Sequence, residues 1–333
     1  MRKDTFEPKL AVTAIADQLG ISTQAVHKHL KREGFATAMA GNKGYITHSI
    51  AKKLFSPKFE KKSFAFQIVK GGTGKTTAMY NISCGASIYG AKILVIDIDP
   101  QGNATDAFNI EADNTPVLID VVADGEDIRN CIVHVTEGID IIPSRIENVV
   151  LDSKLAMDKT PLHTFFANLL EPIENNYDFI FIDCPPTMGH AVTAASLYAK
   201  TVVVPLNPDK FSAKGLSILK DEINEIKKNY KIGISYKVFL NKFSGNTILS
   251  DKTISTTISE EIEKGNALQT AIRQAQEIPN VTDEGLNLFS SLKKSTARDD
   301  FDLLTKELLG IDISSLWQNK SNLHVTEEAT EEV

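Results

Sequence analysis

Residues 70–77 (KGGTGKTT) could do chemistry, since three glycines, two lysines and three threonines share one short segment. The glycines lack a Cβ and allow backbone N–H groups to close on phosphate oxygens. Lys75 is spaced to reach the β- and γ-phosphates of a nucleotide, and the Thr76 hydroxyl suits Mg²⁺. The spacing therefore predicts a phosphate-binding loop. Its predicted nucleotide contacts are Gly71, Gly72, Thr73, Gly74, Lys75, Thr76 and Thr77.

The loop differs from the ordinary P-loop pattern at its start. Val69 stands where that pattern has its first glycine, and a second lysine, Lys70, follows it. An apolar, strand-like run precedes the loop, and a helical run from Lys75 to about Tyr89 follows it. The start of that helix directs its positive end at the same oxygens. A glycine-rich turn with lysines present by chance is the plain alternative, and both the spacing and the flanks disfavour it.

Two further apolar runs end in aspartates. Residues 92–97 (KILVID) lead into Asp97 and Asp99, and residues 178–183 (DFIFID) end at Asp183. P-loop folds place an acidic residue at the end of a neighbouring strand to order Mg²⁺. We therefore predict that Thr76, Asp99 and Asp183 form the metal site. The sequence leaves open whether Asp97 bonds the loop or the metal, or is a structural carboxylate.

These strands must lie side by side for the site to form. Apolar runs at 63–69, 92–97, 138–142, 178–183, 201–205 and 235–241 alternate with helical patterns. This alternation predicts an α/β P-loop NTPase fold with a doubly wound, mostly parallel sheet, whose strands end at one common edge. The sequence of 333 residues is long enough for one large domain of this kind and a small additional domain.

The segments KGGTGKTT, DIDPQGNAT and FIDCPP, in this order and spacing, resemble the ParA/MinD family of deviant Walker ATPases. The ParA branch, which partitions chromosomes and plasmids, is the nearer. The resemblance covers about residues 63–310 and includes VVVPLNPDKFSAKGL at 202–216 and TAIRQAQEIPN at 270–280. It implies ATP and Mg²⁺ as cofactors and hydrolysis of ATP to ADP and phosphate.

The resemblance also implies roles for single residues. The catalytic set is Lys75, which neutralises charge, Asp99, which positions the attacking water, and Lys70, which crosses a homodimer interface to the partner's nucleotide. Asn241, at the end of VFLNK, matches an asparagine that bonds adenine; a plain turn residue is the alternative. Arg273 matches a position that helps the ATP-bound dimer hold nonspecific DNA.

The first part of the chain has a different charge from the rest. Residues 1–62 carry a net charge of +7 and the remainder −14, within a total of −7. A basic segment on an acidic body suggests contact with nucleic acid. We predict four parts: a DNA-binding domain at 1–55, a linker at 56–62, a ParA-like ATPase domain at 63–315, and an acidic, disordered tail at 316–333.

The basic segment shows a helix-turn-helix pattern, with a hairpin or wing at residues 41–47. One helix is predicted from Leu10 to Leu19, Gly20 breaks it, and Ser22 or Thr23 caps a second helix that runs to about Arg32. The second helix is predicted to enter the major groove of DNA. A helical pair used only for packing or dimerisation is the alternative. The predicted DNA contacts are Gln24, His27, Lys28, Lys31 and Arg32.

The composition indicates the cellular compartment of the protein. No apolar run approaches the roughly 18 to 20 residues of a membrane span, and the first residues lack the apolar core of a secretory signal. Three distant cysteines without metal spacing suit a reducing compartment. We therefore expect a cytoplasmic, nucleoid-associated protein without a membrane partner.

Three functions are compatible with these observations. The first is a partition ATPase that binds nonspecific DNA as an ATP-dependent dimer and is stimulated by a ParB-like centromere-binding partner. Its N-terminal domain would bind the operator of its own operon. The second is an ATP-responsive transcriptional regulator with little turnover. The third is a MinD-like positioning ATPase, which the acidic residues 326–333 disfavour because such proteins carry a basic amphipathic anchor.

Overall fold

A computed structural model describes residues 6–244, 252–315 and 317 of the chain. The predicted acidic tail lies outside these residues, apart from Trp317.

A seven-stranded sheet forms the centre of the larger part of the chain. Its strands are β4 (Lys62–Phe66), β5 (Ile93–Asp97), β6 (Val133–Thr136), β7 (Ile139–Ile142), β8 (Phe179–Asp183), β9 (Thr201–Leu206) and β10 (Ser235–Leu240). The strand order is β10-β9-β4-β8-β5-β7-β6, and all neighbours are parallel except β6 and β7. The prediction of a mostly parallel sheet is confirmed, and all six predicted strands are present.

Both faces of the sheet are buried under apolar clusters. Since successive side chains of a strand point to opposite sides, a single strand contributes to both clusters. In β4, Phe64 and Phe66 join one apolar cluster, whereas Ala65 joins the other. The helices of this part are α4 (Lys75–Ser87), α5 (Asn103–Ala107), α6 (Leu118–Asp124), α7 (Leu151–Met157), α8 (Leu162–Leu170), α9 (His190–Ala199), α10 (Lys210–Tyr230), α11 (Lys252–Glu263), α12 (Glu277–Asp283) and α13 (Thr296–Leu309). The first cluster packs beneath α4 and α13, and the second beneath α7 to α10.

Strand β6 was not predicted. It lies at the edge of the sheet, antiparallel to β7, and the Gly138 turn joins the two strands with a φ of 82°. None of its four residues is fully buried, so its sequence lacks the apolar run that marks the central strands.

Residues 6–55 form a small bundle of helices with a three-stranded sheet, which we call the head. Its elements are β1 (Leu10–Ala11), α1 (Val12–Leu19), α2 (Thr23–Arg32), β2 (Ala38–Ala40), β3 (Lys43–Ile46) and α3 (His48–Phe55). Gly20 ends α1 with a φ of 65°, and the Ser22 side chain accepts a hydrogen bond from the Ala25 N–H at the start of α2. The first helix begins two residues later than predicted, because Leu10 and Ala11 pair with β3.

The head and the described residues from 62 onward, which we call the body, share one apolar cluster. It contains Val26 and Phe55 of the head together with Tyr89 and Phe289 of the body. Polar contacts cross the same boundary. Lys9 N–H donates to the Phe289 carbonyl at 2.9 Å, and the Ser49 hydroxyl donates to Glu137 at 2.7 Å.

The predicted linker also packs against the body, since the Phe59 ring lies 5.3 Å from that of Phe179. The apolar core therefore continues across the predicted boundary at residues 56–62.

Candidate nucleotide site

The glycine loop lies between β4 and α4, at the carboxyl edge of the sheet. Strand β4 ends at Phe66, three residues earlier than predicted, and α4 begins at Lys75 as expected. Gly72 and Gly74 have φ values of 72° and 91°, which side chains rarely allow. A Cβ at position 74 would also lie 2.5 Å from the Asn241 amide nitrogen. These two glycines are therefore required by the shape of the loop.

Lys75 lies inside this loop. Only 7% of the residue is exposed, and its ammonium donates to the Lys70 carbonyl at 3.4 Å. Burial lowers the pKa of the Lys75 ammonium, while the nearby Asp183 carboxylate acts in the opposite direction. A buried cation at the start of a helix is suited to an anion that enters the loop.

Thr76 and Asp183, two of the three residues predicted to bind the metal, are in direct contact. The Thr76 hydroxyl donates to Asp183 Oδ2 at 2.7 Å, and Asp183 is fully buried. Asp183 Oδ1 and the Thr73 hydroxyl oxygen are buried without a hydrogen-bond partner among the described residues. Burial, with a contribution from Asp97, raises the pKa of Asp183 well above its usual range. A carboxylate oxygen left without a donor fits a hydrated cation, and a free hydroxyl fits a phosphate oxygen.

Asp97 accepts hydrogen bonds that favour a structural carboxylate among the roles that the sequence left open. Its carboxylate accepts hydrogen bonds from the Thr105 N–H at 3.0 Å, the Thr105 hydroxyl at 2.8 Å and the Asp99 N–H at 3.1 Å. These bonds fix the turn that carries Asp99. Thr105 was missed because it lies eight residues from Asp97, in a short helix with no motif of its own.

Asp99 lies at the carboxyl end of β5, beside Asp97 and near Asp183. Its Oδ1 accepts a hydrogen bond from the Gln101 N–H at 3.0 Å, and the residue is 6% exposed. Since β5 and β8 are adjacent parallel strands that end together, Asp99 shares the edge of the sheet with the glycine loop. This position is compatible with its predicted role in placing a water.

Lys70 is held by its own chain. Its ammonium donates to both oxygens of Asp209 at 2.7 Å and to the Ser212 hydroxyl at 3.1 Å. Asp209 also caps α10 through the Ser212 N–H. Burial alone would raise the pKa of Asp209, but the hydrogen bonds from Lys70 and Ser212 lower it. Sequence reasoning did not single out Asp209 or Ser212, because 139 residues separate Lys70 from Asp209.

A cavity of about 410 Å³ opens beside the loop. Its lining includes Gly74, Thr77, Asn241, and Ile278 and Pro279 of α12. The Asn241 amide donates to the Thr73 carbonyl at 2.7 Å. The cavity offers apolar surface and an amide beside the loop. Contact between Asn241 and adenine stays a prediction.

Arg273 lines the same cavity and has a partner that the sequence did not suggest. Its backbone N–H and its Nε both donate to Asp300 Oδ2, at 2.9 and 3.0 Å. The Arg273 side chain is 53% exposed, whereas that of Asp300 is 5% exposed. Arg273 therefore neutralises a buried carboxylate, and its contact with DNA stays a prediction.

The predicted DNA contacts of the head lie together on one helix, away from its buried side. Val26 and Leu30 of α2 are buried in the shared cluster. The exposed residues of the helix include Gln24, His27, Lys28, Lys31 and Arg32. Their role in DNA binding stays a prediction.

The described residues contain neither a cluster of metal-binding side chains nor a helix that could span a membrane. Within residues 6–244 and 252–315, no group of three or more His, Cys, Asp or Glu side chains is arranged to hold a metal ion. A Mg²⁺ site here would therefore be completed by phosphates and water, as is usual for this ion. No helix in the same part of the chain is long and apolar enough to cross a membrane.

Comparisons with known proteins agree with this geometry. A family profile described as an AAA domain matches residues 61–236. The virulence plasmid ParA family protein pGP5-D of Chlamydia psittaci is 31% identical over 254 residues, which cover 74% of this chain and 94% of that protein. The sporulation initiation inhibitor protein Soj of Bacillus subtilis is 32% identical over 206 residues, which cover 61% and 79% of the two chains.

A solved structure shares the fold. The ATP complex of a McdA variant from Cyanothece superposes with a TM-score of 0.66 and 22% identity, and the match covers 76% of this chain and 98% of that one.

Proposed function

The chain belongs to the ParA family of P-loop ATPases, and from this membership we propose that it is a DNA-partition ATPase that hydrolyses ATP to ADP and phosphate. The arrangement of Lys75, Thr76 and Asp183 carries the proposal. It combines a buried cation, a hydroxyl and a buried carboxylate oxygen without a donor at the start of α4. A glycine turn with only a structural role would have no need of such groups.

ATP and Mg²⁺ fit the residues of the site. Thr76 and Asp183 would hold Mg²⁺, which supplies charge neutralisation at the phosphates when it is bound. Lys75 binds the phosphate oxygens, and the N–H groups of Gly71 to Gly74 surround them. Asp99 orients the attacking water. The cavity beside Asn241 receives the base.

Dimerisation completes the site in this proposal. Lys70 is too far round the loop to duplicate Lys75, and in the described chain it pairs with Asp209 instead. ATP binding brings two protomers together, and each Lys70 exchanges Asp209 for the phosphates of the opposite protomer. A lysine that acts across the interface makes turnover depend on the dimer, as an arginine finger does.

Mixing two inactive variants tests this exchange. Lys70→Ala and Asp99→Ala protein should each show almost no turnover alone, but a mixture should regain part of the wild-type rate. In a mixed dimer, one site keeps Lys75 and Asp99 of one protomer and receives Lys70 from the other. The measurement is phosphate release at a constant total protein concentration. Each variant mixed with itself is the control, and a mixture no faster than the two controls would contradict a role across the interface.

In this proposal the head provides sequence-specific DNA binding. We propose that it is a winged helix-turn-helix domain in which α2 enters the major groove and the β2–β3 hairpin is the wing. Gln24 reads a base edge, and Lys28, Lys31 and Arg32 contact phosphates or guanine. The natural target is the operator of the protein's own operon. The exposure of the polar side chains of α2, with its apolar side buried, supports this use of the helix.

Charge removal on α2 tests the head. Lys28→Gln/Lys31→Gln protein should bind all duplexes more weakly and lower the slope of log K against log salt by about 2, because each phosphate contact contributes about 0.9 to the slope. The measurement is a fluorescence anisotropy titration of a random 30-base-pair duplex at several salt concentrations. Lys227→Gln/Lys228→Gln, which removes two exposed charges at the end of α10, is the matched control. An equal effect of the two double variants would argue against α2 as the contact surface.

Point variants are preferable to deletion of the head. Removal of residues 1–55 would expose the apolar surface around Tyr89 and Phe289, since these residues share their cluster with Val26 and Phe55.

The remaining parts of the proposal concern partners and location. A ParB-like centromere-binding protein stimulates hydrolysis, and the ATP-bound dimer holds nonspecific DNA with the help of Arg273. This places the protein in the cytoplasm on the nucleoid. The exposed α2 also suits a second candidate function, an ATP-responsive transcriptional regulator with little turnover. Turnover that rises with DNA and partner separates the two, since a regulator would show no such rise.

A further inference from the structure

The exposed side of α2 is strongly basic. It carries Lys28, Lys31 and Arg32, which we call the basic face. Within residues 6–244, 252–315 and 317, the ammonium groups of Lys28 and Lys31 make no ion pair or hydrogen bond, whereas the Arg32 guanidinium approaches Glu33 at 3.5 Å. Two lysine side chains of one helix thus have no ion-pair partner in the described part of the chain.

The last described residue lies against this helix. After α13, Ile311 and Ile313 are buried in the cluster shared by head and body. The Trp317 ring then packs on the His29 ring, with 4.5 Å between their centroids. His29 Nδ1 in turn lies 3.1 Å from a guanidinium nitrogen of Arg32. The chain therefore leaves the described structure beside the basic face.

The residues that follow Trp317 have the opposite charge. Residues 318–333 contain four glutamates and one lysine, so their net charge is −3. Glu327 lies ten positions after Trp317, and such a segment spans at most about 35 Å. Helix α2 has ten residues and is about 15 Å long. Every position on the basic face is within reach of the glutamates.

We propose that residues 318–333 dock on the basic face and compete there with DNA phosphates. The segment is anchored next to its target through Trp317, so its binding is intramolecular and favoured over that of a free peptide. The contact is electrostatic and weakens as salt rises. DNA that offers a specific base contact to Gln24 displaces the segment more easily than random DNA. The segment thereby raises the preference for specific DNA, and this last part rests on the proposed function of the head.

A DNA-free experiment tests the contact itself. Carbodiimide joins carboxylates to lysines that touch them, and mass spectrometry identifies the joined pairs. In full-length protein without DNA, Glu327, Glu328, Glu331 or Glu332 should be joined to Lys28 or Lys31. These products should disappear at about 0.5 M salt, where the Debye length is only a few Å. Glutamates of 318–333 joined only to other lysines, or to none, would overturn the proposal.

A DNA titration tests the competition. The variant with Glu327, Glu328, Glu331 and Glu332 changed to Gln should bind a random 30-base-pair duplex about 3- to 10-fold more tightly than wild type at about 50 mM salt, and equally at about 0.5 M. The matched control changes four exposed glutamates of the body to Gln, at Glu111, Glu171, Glu225 and Glu263. It has the same net charge and should bind as wild type does.

A third experiment removes the lysine charges of the basic face, to test whether the gain in DNA affinity arises there. In a Lys28→Gln/Lys31→Gln background, the change at the four glutamates should leave DNA affinity unaltered. An undiminished gain in that background would place the competition elsewhere and overturn the proposal. If no variant binds DNA at all, the proposed function of the head fails and the competition with it, while the cross-linking result still decides whether the segment docks.

Discussion

Lys75→Ala protein is expected to lose ATP binding, with an affinity at least about 100-fold below wild type, because a cation desolvated in the loop is the main charge that faces the phosphates. The ammonium of Lys75 is buried and its pKa is lowered by that burial. Its removal therefore costs the nucleotide-free protein little. Isothermal titration with ATP and Mg²⁺ measures the affinity.

Thermal unfolding supplies the control for this variant. Without nucleotide, the melting temperature of Lys75→Ala should equal or exceed that of wild type, since a buried charge has been removed. With ATP, wild type should gain stability in proportion to its occupancy, while the variant should gain none. A variant that is still stabilised by ATP would contradict the assignment of Lys75 to the phosphates.

Asp99→Ala protein is expected to bind ATP and dimerise normally but to hydrolyse it at least about 100-fold more slowly, as is typical when a group that acts in the transition state is removed. Asp99 lies beside the glycine loop without belonging to it, and Asp97 holds its turn through the Asp99 N–H, which alanine retains. The bond to Asp97 should therefore hold the turn in place, while the bond from the Gln101 N–H to the Asp99 side chain is lost. The measurements are single-turnover hydrolysis and ATP-dependent dimerisation by light scattering.

Asp106→Ala is the matched control for Asp99→Ala. Asp106 lies on α5, which begins four residues after Asp99, and it is exposed. Its replacement should leave hydrolysis unchanged. Turnover of Asp99→Ala equal to that of wild type would remove Asp99 from the mechanism.

The parts of this site that sequence could predict are those encoded locally. The glycine loop, the strands that end at Asp97 and Asp183, and the cap of α2 at Ser22 each depend on residues within one short segment. Apolar runs of five or six residues marked the central strands because both faces of the sheet are covered. The strand ends were less accurate, since the prediction carried β4 three residues into the loop.

The parts that sequence could not predict depend on pairs distant along the chain. Nothing local indicates that Asp209 holds Lys70 or that Asp300 holds Arg273. Each pair forms only when the sheet and its helices have assembled. The core shared by head and body was also not predicted. The basic, proline-containing segment at 56–62 has the composition of a linker, which suggested two separate domains. Its Phe59 ring nevertheless packs on the sheet.

The core shared by head and body limits how this protein can diversify. If the head packed only on itself, it could be replaced during evolution by the head of a relative, and the DNA specificity would change with it. Here the underside of α2, with Val26 and Leu30, is part of the cluster that also covers α4 and α13. An exchanged head would have to match that surface or unfold the ATPase with it. New DNA specificity therefore arises most readily by substitutions on the exposed side of α2, such as Gln24, while the buried side stays constant.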